Sequence, residues 1–420
     1  MSPAIRSYDG RTCDLNPSTL RILINSIRTG GLVLALALYG LFGMPAPSRL
    51  TWREVIVGGG LVLATGFIRP LLIGSGAMLR HPEACLQDIA GTLAFNYLLW
   101  FPLLRGMLSG TNAEDVYRDV VPLMFLFLPV LLVPGSTLML RMLTLGLAAV
   151  GVLFSLRWWW PGLAFRQVGR FAMAEGDGYL LNSPAVLFAA VWLPLLALER
   201  LERKPGPASI ILGAVLCGGA VIAGSALAGA VHRAALILAV AVVAGFAAWH
   251  ARHKPLLSML VVGMLAVAAL SGDQLAGTIQ QVAWKTETYG LNERSAEAAA
   301  VLEQVGASWA DLLFGQGWGA LVRSPAVGGM WVSYTHSFMT YMLLKTGLIG
   351  CLVTLAYLMS LLPSLLRLMR IDPPLAVALI PPLGLGLFAH TSFKYMCFRL
   401  LLAVVNHEKI VLRNSDASTA

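Results

Sequence analysis

The chain has 420 residues, of which 57% are hydrophobic and only 12% charged, and it carries a formal charge of +9 at pH 7. Its mean hydropathy is +0.75, whereas soluble chains carry roughly 25% charged residues; a soluble class is excluded and a membrane protein is indicated. No basic run with interleaved aromatics lies outside the apolar segments, so the positive excess speaks for membrane topology and an anionic ligand, with no nucleic acid.

The first twenty residues, MSPAIRSYDGRTCDLNPSTL, lack the apolar stretch and small-residue cleavage site of a signal peptide, so the first span is expected to stay as an anchor. Apolar segments follow at 22–45, 55–75, 88–109, 119–134, 137–156, 181–199, 207–229, 231–249, 255–272, 336–362, 373–391 and 394–407. Most approach the ~20 residues that cross a bilayer, which predicts an all-α polytopic bundle of about twelve transmembrane helices. The five cysteines (Cys13, Cys85, Cys217, Cys351 and Cys397) lie in the amino-terminal tail, in one polar connection and inside spans. That placement gives neither a disulfide framework nor metal-ligand spacing.

Basic clusters fall in alternate connections: Arg200, Arg203 and Lys204; Arg252 and Lys254; Arg367 and Arg370; Lys409 and Arg413. The positive-inside rule puts these sides and both termini in the cytoplasm. Three regions result: 1–272, nine spans with short loops and an outer loop near 157–180; 273–335, a long outer loop; and 336–420, three spans and a cytoplasmic tail. In a bacterial inner membrane the outer side is the periplasm.

The outer loops keep positive charge, with Arg157, Arg166 and Arg170 in the first and Lys285, Arg294 and Arg323 in the second. Outer loops normally carry few basic residues. Two explanations stand: the side chains are solvated or touch lipid phosphates, or they hold an anionic ligand. The run RWWW, from Arg157 to Trp160, also suits an interfacial aromatic belt.

Within the second loop, Ala298, Val301, Leu302, Val305, Trp309 and Leu312 recur at helical spacing and predict an amphipathic helix over 294–313. It stops at FGQGWG, Phe314 to Gly319, where three glycines permit tight backbone geometry. A dinucleotide site is a poor reading of this GxGxG, because no strand precedes it and no helix clearly follows. His336 stands where the outer headgroups meet the next span. Imidazole titrates near neutral pH and can accept a proton from an attacking hydroxyl, although a lone interfacial histidine also serves as a loop cap. His232 and Arg233 open the eighth span on the same face. Guanidinium groups suit phosphate oxygens because they are planar, permanently charged and donate in pairs.

These residues resemble a family, the O-antigen ligases and their relatives the O-antigen polymerases and protein O-oligosaccharyltransferases. The resemblance covers the span plan of nearly the whole chain and is most specific over 294–350. There an arginine opens an amphipathic helix, a GxGxG turn follows at Gly315, Gly317 and Gly319, and a histidine begins a span containing GLIG, Gly347 to Gly350. Arg233 matches a frequent serine–arginine pair, with His232 in place of the serine. Ser337 stands where the family often has asparagine.

Lys345 departs as well. It lies nine residues beyond His336, about 13 Å deeper along a helix, and a buried ammonium needs a carbonyl or a polar cavity.

The resemblance implies a metal-independent, inverting GT-C type glycosyltransferase without a cofactor. Its donor would be O antigen on undecaprenyl diphosphate and its acceptor a sugar hydroxyl of the lipid A–core, with membrane lipids around it. His336 would act as general base, and Arg233 and Arg294 would bind the donor diphosphate, with Arg157 and Arg170 as supporting cations. Polymerisation or transfer to protein is the alternative within the family. The short tail NHEKIVLRNSDASTA speaks against the protein-directed branch, which commonly carries a longer periplasmic extension. A transporter of anionic lipid would show related halves and charges near the midplane, neither of which is evident.

Overall fold

The computed structural model describes residues 17–43, 52–65, 86–132, 137–160, 176–251, 262–263, 280, 294–388 and 391–405. These are predominantly helical, and six helices are long and apolar enough to cross a membrane: Ile22–Phe42, Thr137–Trp159, Pro184–Arg203, Pro207–Gly229, Arg233–His250 and Phe338–Ile371. The chain is an all-α membrane bundle. Most of the span expected at 255–272, together with Arg166, Arg170 and Lys285, lies outside the described residues.

In chain order the helices are α1 (Pro17–Phe42), α2 (Trp52–Thr65), α3 (Leu86–Leu108), α4 (Ala113–Leu126), the single turn α5 (Leu128–Leu131), α6 (Thr137–Trp159), α7 (Pro184–Arg203), α8 (Pro207–Gly229) and α9 (Arg233–Ala251). After the long connection come α10 (Arg294–Gly306), α11 (Trp309–Phe314), α12 (Phe338–Ile371), α13 (Pro373–Phe388) and α14 (Met396–Val405). Between α11 and α12 runs a short antiparallel hairpin, β1 (Val322–Ser324) with β2 (Met330–Val332), in which Val322 faces Val332 and Ser324 faces Met330.

The core gathers around α7 and α14. Every residue of α14 is buried, and α7 is apolar nearly all round, as a helix enclosed by neighbours must be. It packs against α6, α8 and α13, while α1 packs on α2 and α6 and α12 packs on α3, α11 and α13. Large apolar side chains such as Ile211, Val215, Ile237, Val240 and Leu352 stay exposed on outer helix faces. Such a surface is costly in water and suited to lipid.

One end of the bundle collects the cytoplasmic candidates. His250, at the end of α9, pairs with Glu202 at the end of α7 (3.3 Å), and Glu199 on that same turn is in electrostatic contact with Asp372, which ends α12. Arg233 and Phe338 begin α9 and α12 and therefore occupy the opposite end.

Two expected elements differ in form. The helix expected over 294–313 breaks at Gly306: Ser308 caps a second helix by accepting from the Asp311 N–H at 3.0 Å. The packed face of α10 is Glu297, Val301 and Val305, whereas Leu302 and Trp309 are 54% and 80% exposed. The helix expected at 119–134 begins earlier, at Ala113, and bends at Phe127 between Pro122 and Pro129, where missing donors interrupt the hydrogen-bond ladder.

The GxGxG turn plugs a break in α12. Gly347 has φ 65° and ψ −169°, outside helical geometry. Carbonyls on the near side of this break are taken by the turn: Gln316 N–H donates to Leu344 and Gly317 N–H to Lys345, both at 2.9 Å. A Cβ on Gly315 would strike the backbone of Lys345, Thr346 and Gly347, and one on Gly347 would strike Leu313 and Gly315. Glycine is required on both sides because backbone meets backbone. Arg105 of α3 holds the turn from beneath, donating to the Gly315 carbonyl and pairing with Asp311 at 2.5 Å.

Candidate active site

His336 lies two residues before α12, on the return from the hairpin. Its peptide N–H donates to Glu297 Oε2 at 2.7 Å, and its Nδ1 stands 3.2 and 3.1 Å from Glu297 Oε1 and Oε2. Ser324, at the end of β1, donates its hydroxyl to Glu297 Oε1 at 2.5 Å. The hairpin thus carries out two tasks: it brings Ser324 onto the carboxylate and returns the chain so that His336 meets the same group.

Glu297 is 2% exposed. Burial pushes its pKa up, but hydrogen bonds from the His336 ring, the His336 peptide and Ser324 outweigh this and hold it below the ordinary glutamate value. It is therefore an anion at neutral pH and can only accept. Nδ1 therefore carries the proton it shares with Glu297, and in the neutral ring this places the lone pair on Nε2. The His336 side chain retains 23% exposure. An oriented, partly open imidazole with a free Nε2 is the form that a general base requires.

Arg294 opens α10 three residues before Glu297. Its pKa is drawn down first by burial and then by the neighbouring Arg233 guanidinium, with Glu297 acting in the opposite direction. Arg233 and Arg294, far apart in the chain, are thus brought within electrostatic reach of each other. Arg294 Nε is buried without a hydrogen-bond partner. Two cations within electrostatic reach of each other at the end of a bundle favour a nearby anion.

The turn that delivers Arg233 is strained. Val231 sits at φ 55° and is the sole non-glycine residue at positive φ among those described. A β-branched residue there is unfavourable, and such strain collects at functional sites. The His232 N–H donates back to Leu227 at 3.0 Å and fixes this corner between α8 and α9.

Other expected site residues divide. Arg157 donates to the carbonyls of Gly40 and Gly43 at 3.2 and 2.8 Å and lies over Phe154 at 5.5 Å, which clamps α6 to the end of α1. Arg323 donates to the Gly329 carbonyl at 3.0 Å across the hairpin. Arg170 is outside the described residues. Of RWWW, Trp158 packs into the core against Gly229, while Trp160 is 82% exposed.

Sequence reasoning passed over Glu297 and Asp119. Asp119 is the partner of Lys345: both are 0% exposed, the ion pair is 2.5 Å, and Lys345 also donates to the Ala320 carbonyl. Tyr341 OH and Gly319 N–H donate to the same carboxylate, each at 2.9 Å. The signal lay at Lys345, because an ammonium inside an apolar helix demands a partner. Among the described residues no group of three or more His, Cys, Asp or Glu could hold a metal ion.

Compared with known family models, curated proteins and solved structures, the chain matches none.

Proposed function

We propose that the protein is an O-antigen ligase, a GT-C type glycosyltransferase of about twelve spans in a bacterial inner membrane. It transfers O antigen from undecaprenyl diphosphate to the lipid A–core at the periplasmic face. The reading rests above all on the clustering of an oriented base, His336 on Glu297, with the Arg233–Arg294 pair at the bundle end opposite the basic cytoplasmic candidates. The resemblance over 294–350 supplies the substrates.

In this mechanism a sugar hydroxyl of the acceptor attacks the anomeric carbon of the donor glycan. The new C–O bond forms as the bond to the diphosphate breaks, and the electron pair leaves with the diphosphate. His336 Nε2 accepts the hydroxyl proton, and Glu297 stabilises the imidazolium through Nδ1–H. Arg233 and Arg294 stabilise the charge that grows on the departing oxygen, which is worth most where water is scarce.

Deletion of the gene tests the substrate assignment. A ligase predicts loss of the whole lipopolysaccharide ladder with accumulation of long lipid-linked polymer. A core carrying a single repeat would indicate a polymerase instead, and purified protein that returned lipid-linked donor unchanged would support transport.

A further inference from the structure

Beside His336 lies a second cationic group that the mechanism does not use. Lys394 Nζ is 3.3 Å from Asp119 Oδ1 and 3.2 Å from the Ser333 carbonyl. It lies over the Tyr341 ring at 4.5 Å and the Tyr334 ring at 5.9 Å. The Tyr334 ring is in turn 6.2 Å from that of His336, edge to face. Lys394 therefore stands one aromatic ring away from the base.

The charges around it do not balance. Asp119 is committed to Lys345 at 2.5 Å, and its other bonds come from Tyr341 and Gly319. Lys394 has only the longer contact. Arg399, 3% exposed, donates to the Lys394 carbonyl at 3.0 Å, and its Nε is buried without a hydrogen-bond partner. Lys345 and Lys394 thus share the Asp119 carboxylate, with Asp115 in electrostatic contact with Lys345 and the Arg399 guanidinium in electrostatic contact with Lys394, in a place where uncompensated charge is costly. Lys345 is sealed, whereas the Lys394 side chain keeps 15% exposure. An ammonium has three donors, and the two contacts above leave one for a ligand.

We propose that Lys394, set between Tyr334 and Tyr341, is an oxyanion-binding subsite that takes a phosphate or carboxylate of the acceptor glycolipid. The donor diphosphate already has the Arg233–Arg294 pair. An inverting displacement needs the nucleophile to arrive opposite the leaving group, so the acceptor requires its own anchor. An ammonium over aromatic faces suits a charged sugar, since the rings cover its apolar face while the ammonium takes its anion. The identity of the acceptor rests on the ligase reading; the anion subsite is tested by binding and needs no turnover.

The test measures equilibrium binding of lipid A–core to purified full-length protein in micelles, with His336→Ala as a non-turning-over background. Three acceptor forms are compared: intact, phosphatase-treated and carboxyl-reduced. Lys394→Gln should bind intact acceptor about 10-fold or more weaker, as loss of a charge-assisted bond implies, with donor affinity unchanged. Lys394→Arg should retain binding. One of the two stripped acceptors should fall to the Lys394→Gln level on the parent protein and lose nothing further on Lys394→Gln, which identifies the anion as phosphate or carboxylate. Thermal unfolding of Lys394→Gln should be unchanged or raised, because removing it relieves repulsion with Lys345 and Arg399; a purely structural lysine predicts a fall. Equal affinity of parent and Lys394→Gln for intact acceptor would overturn the subsite while leaving the ligase reading intact. Should Lys394→Gln fail to fold, equal affinity of the parent for all three acceptors would overturn it. Transfer to a different acceptor, with lipid A–core unbound, would overturn the substrate assignment and this inference together.

Discussion

Glu297→Gln separates orientation of the base from mere support of the loop. The carboxylate accepts from the His336 peptide at 2.7 Å, from Nδ1 at 3.1 Å and from Ser324 at 2.5 Å. The amide keeps the shape and one acceptor oxygen but loses the charge that steadies the imidazolium, and its NH₂ can face Nδ1 and favour the wrong tautomer. A hydrogen bond to a charged group contributes about 1.5–3 kcal/mol, so turnover should fall about 10- to 150-fold at 1.36 kcal/mol per decade. The loss should appear in kcat. Glu297→Ala is less informative, because it strands buried donors at about 1–3 kcal/mol each. Acid gives a second reading. The folded pKa of Glu297 lies below its unfolded value, so its stabilisation is complete above the unfolded value of about 4.3 and is lost as pH falls through the lower folded value. The Tm advantage of the parent over Glu297→Gln should therefore shrink on acidification through that window. Steady-state transfer with purified protein and thermal unfolding against pH measure both effects. Full kcat in Glu297→Gln would refute the orienting role.

Other expectations follow from the packing and the topology. Gly347→Ala should cost about 3 kcal/mol or more, from a disfavoured backbone plus overpacking against Leu313 and Gly315; an unchanged unfolding midpoint would contradict the plug. Asp119→Asn leaves Lys345 buried without its counter-ion and should cost about 3–5 kcal/mol; adding Lys345→Met should recover part of this, and thermal unfolding showing no recovery would argue against the pair. Single cysteines at Gln274 and Glu303 should react with an impermeant thiol reagent in intact spheroplasts, while one at the exposed Arg203 should react only after lysis. The reverse pattern would invert the topology.

Periodicity and local chemistry made much of the molecule legible in the sequence. The span expected at 207–229 coincides with α8, and α12 starts two residues after His336, because helix limits are set by local apolar pattern and turn residues. Long-range pairings were not legible. Glu297 meets His336 across 39 residues, through a hairpin whose three-residue strands are too short for a strand pattern to register. Gly328 and Gly329, both at positive φ, were the only local hint of that turn. Asp119 and Lys345 find each other through tertiary packing, so neither position betrays the other. The GxGxG glycines were readable as a turn, but their purpose depends on Gly347 lying opposite.

The most direct test of the account is single-turnover transfer by purified protein supplied with undecaprenyl diphosphate-linked O antigen and lipid A–core, with His336→Ala compared to the parent at matched thermal stability. His336→Ala should stay folded, bind donor and lose about 10²–10⁴ in rate. Full transfer by His336→Ala would contradict it.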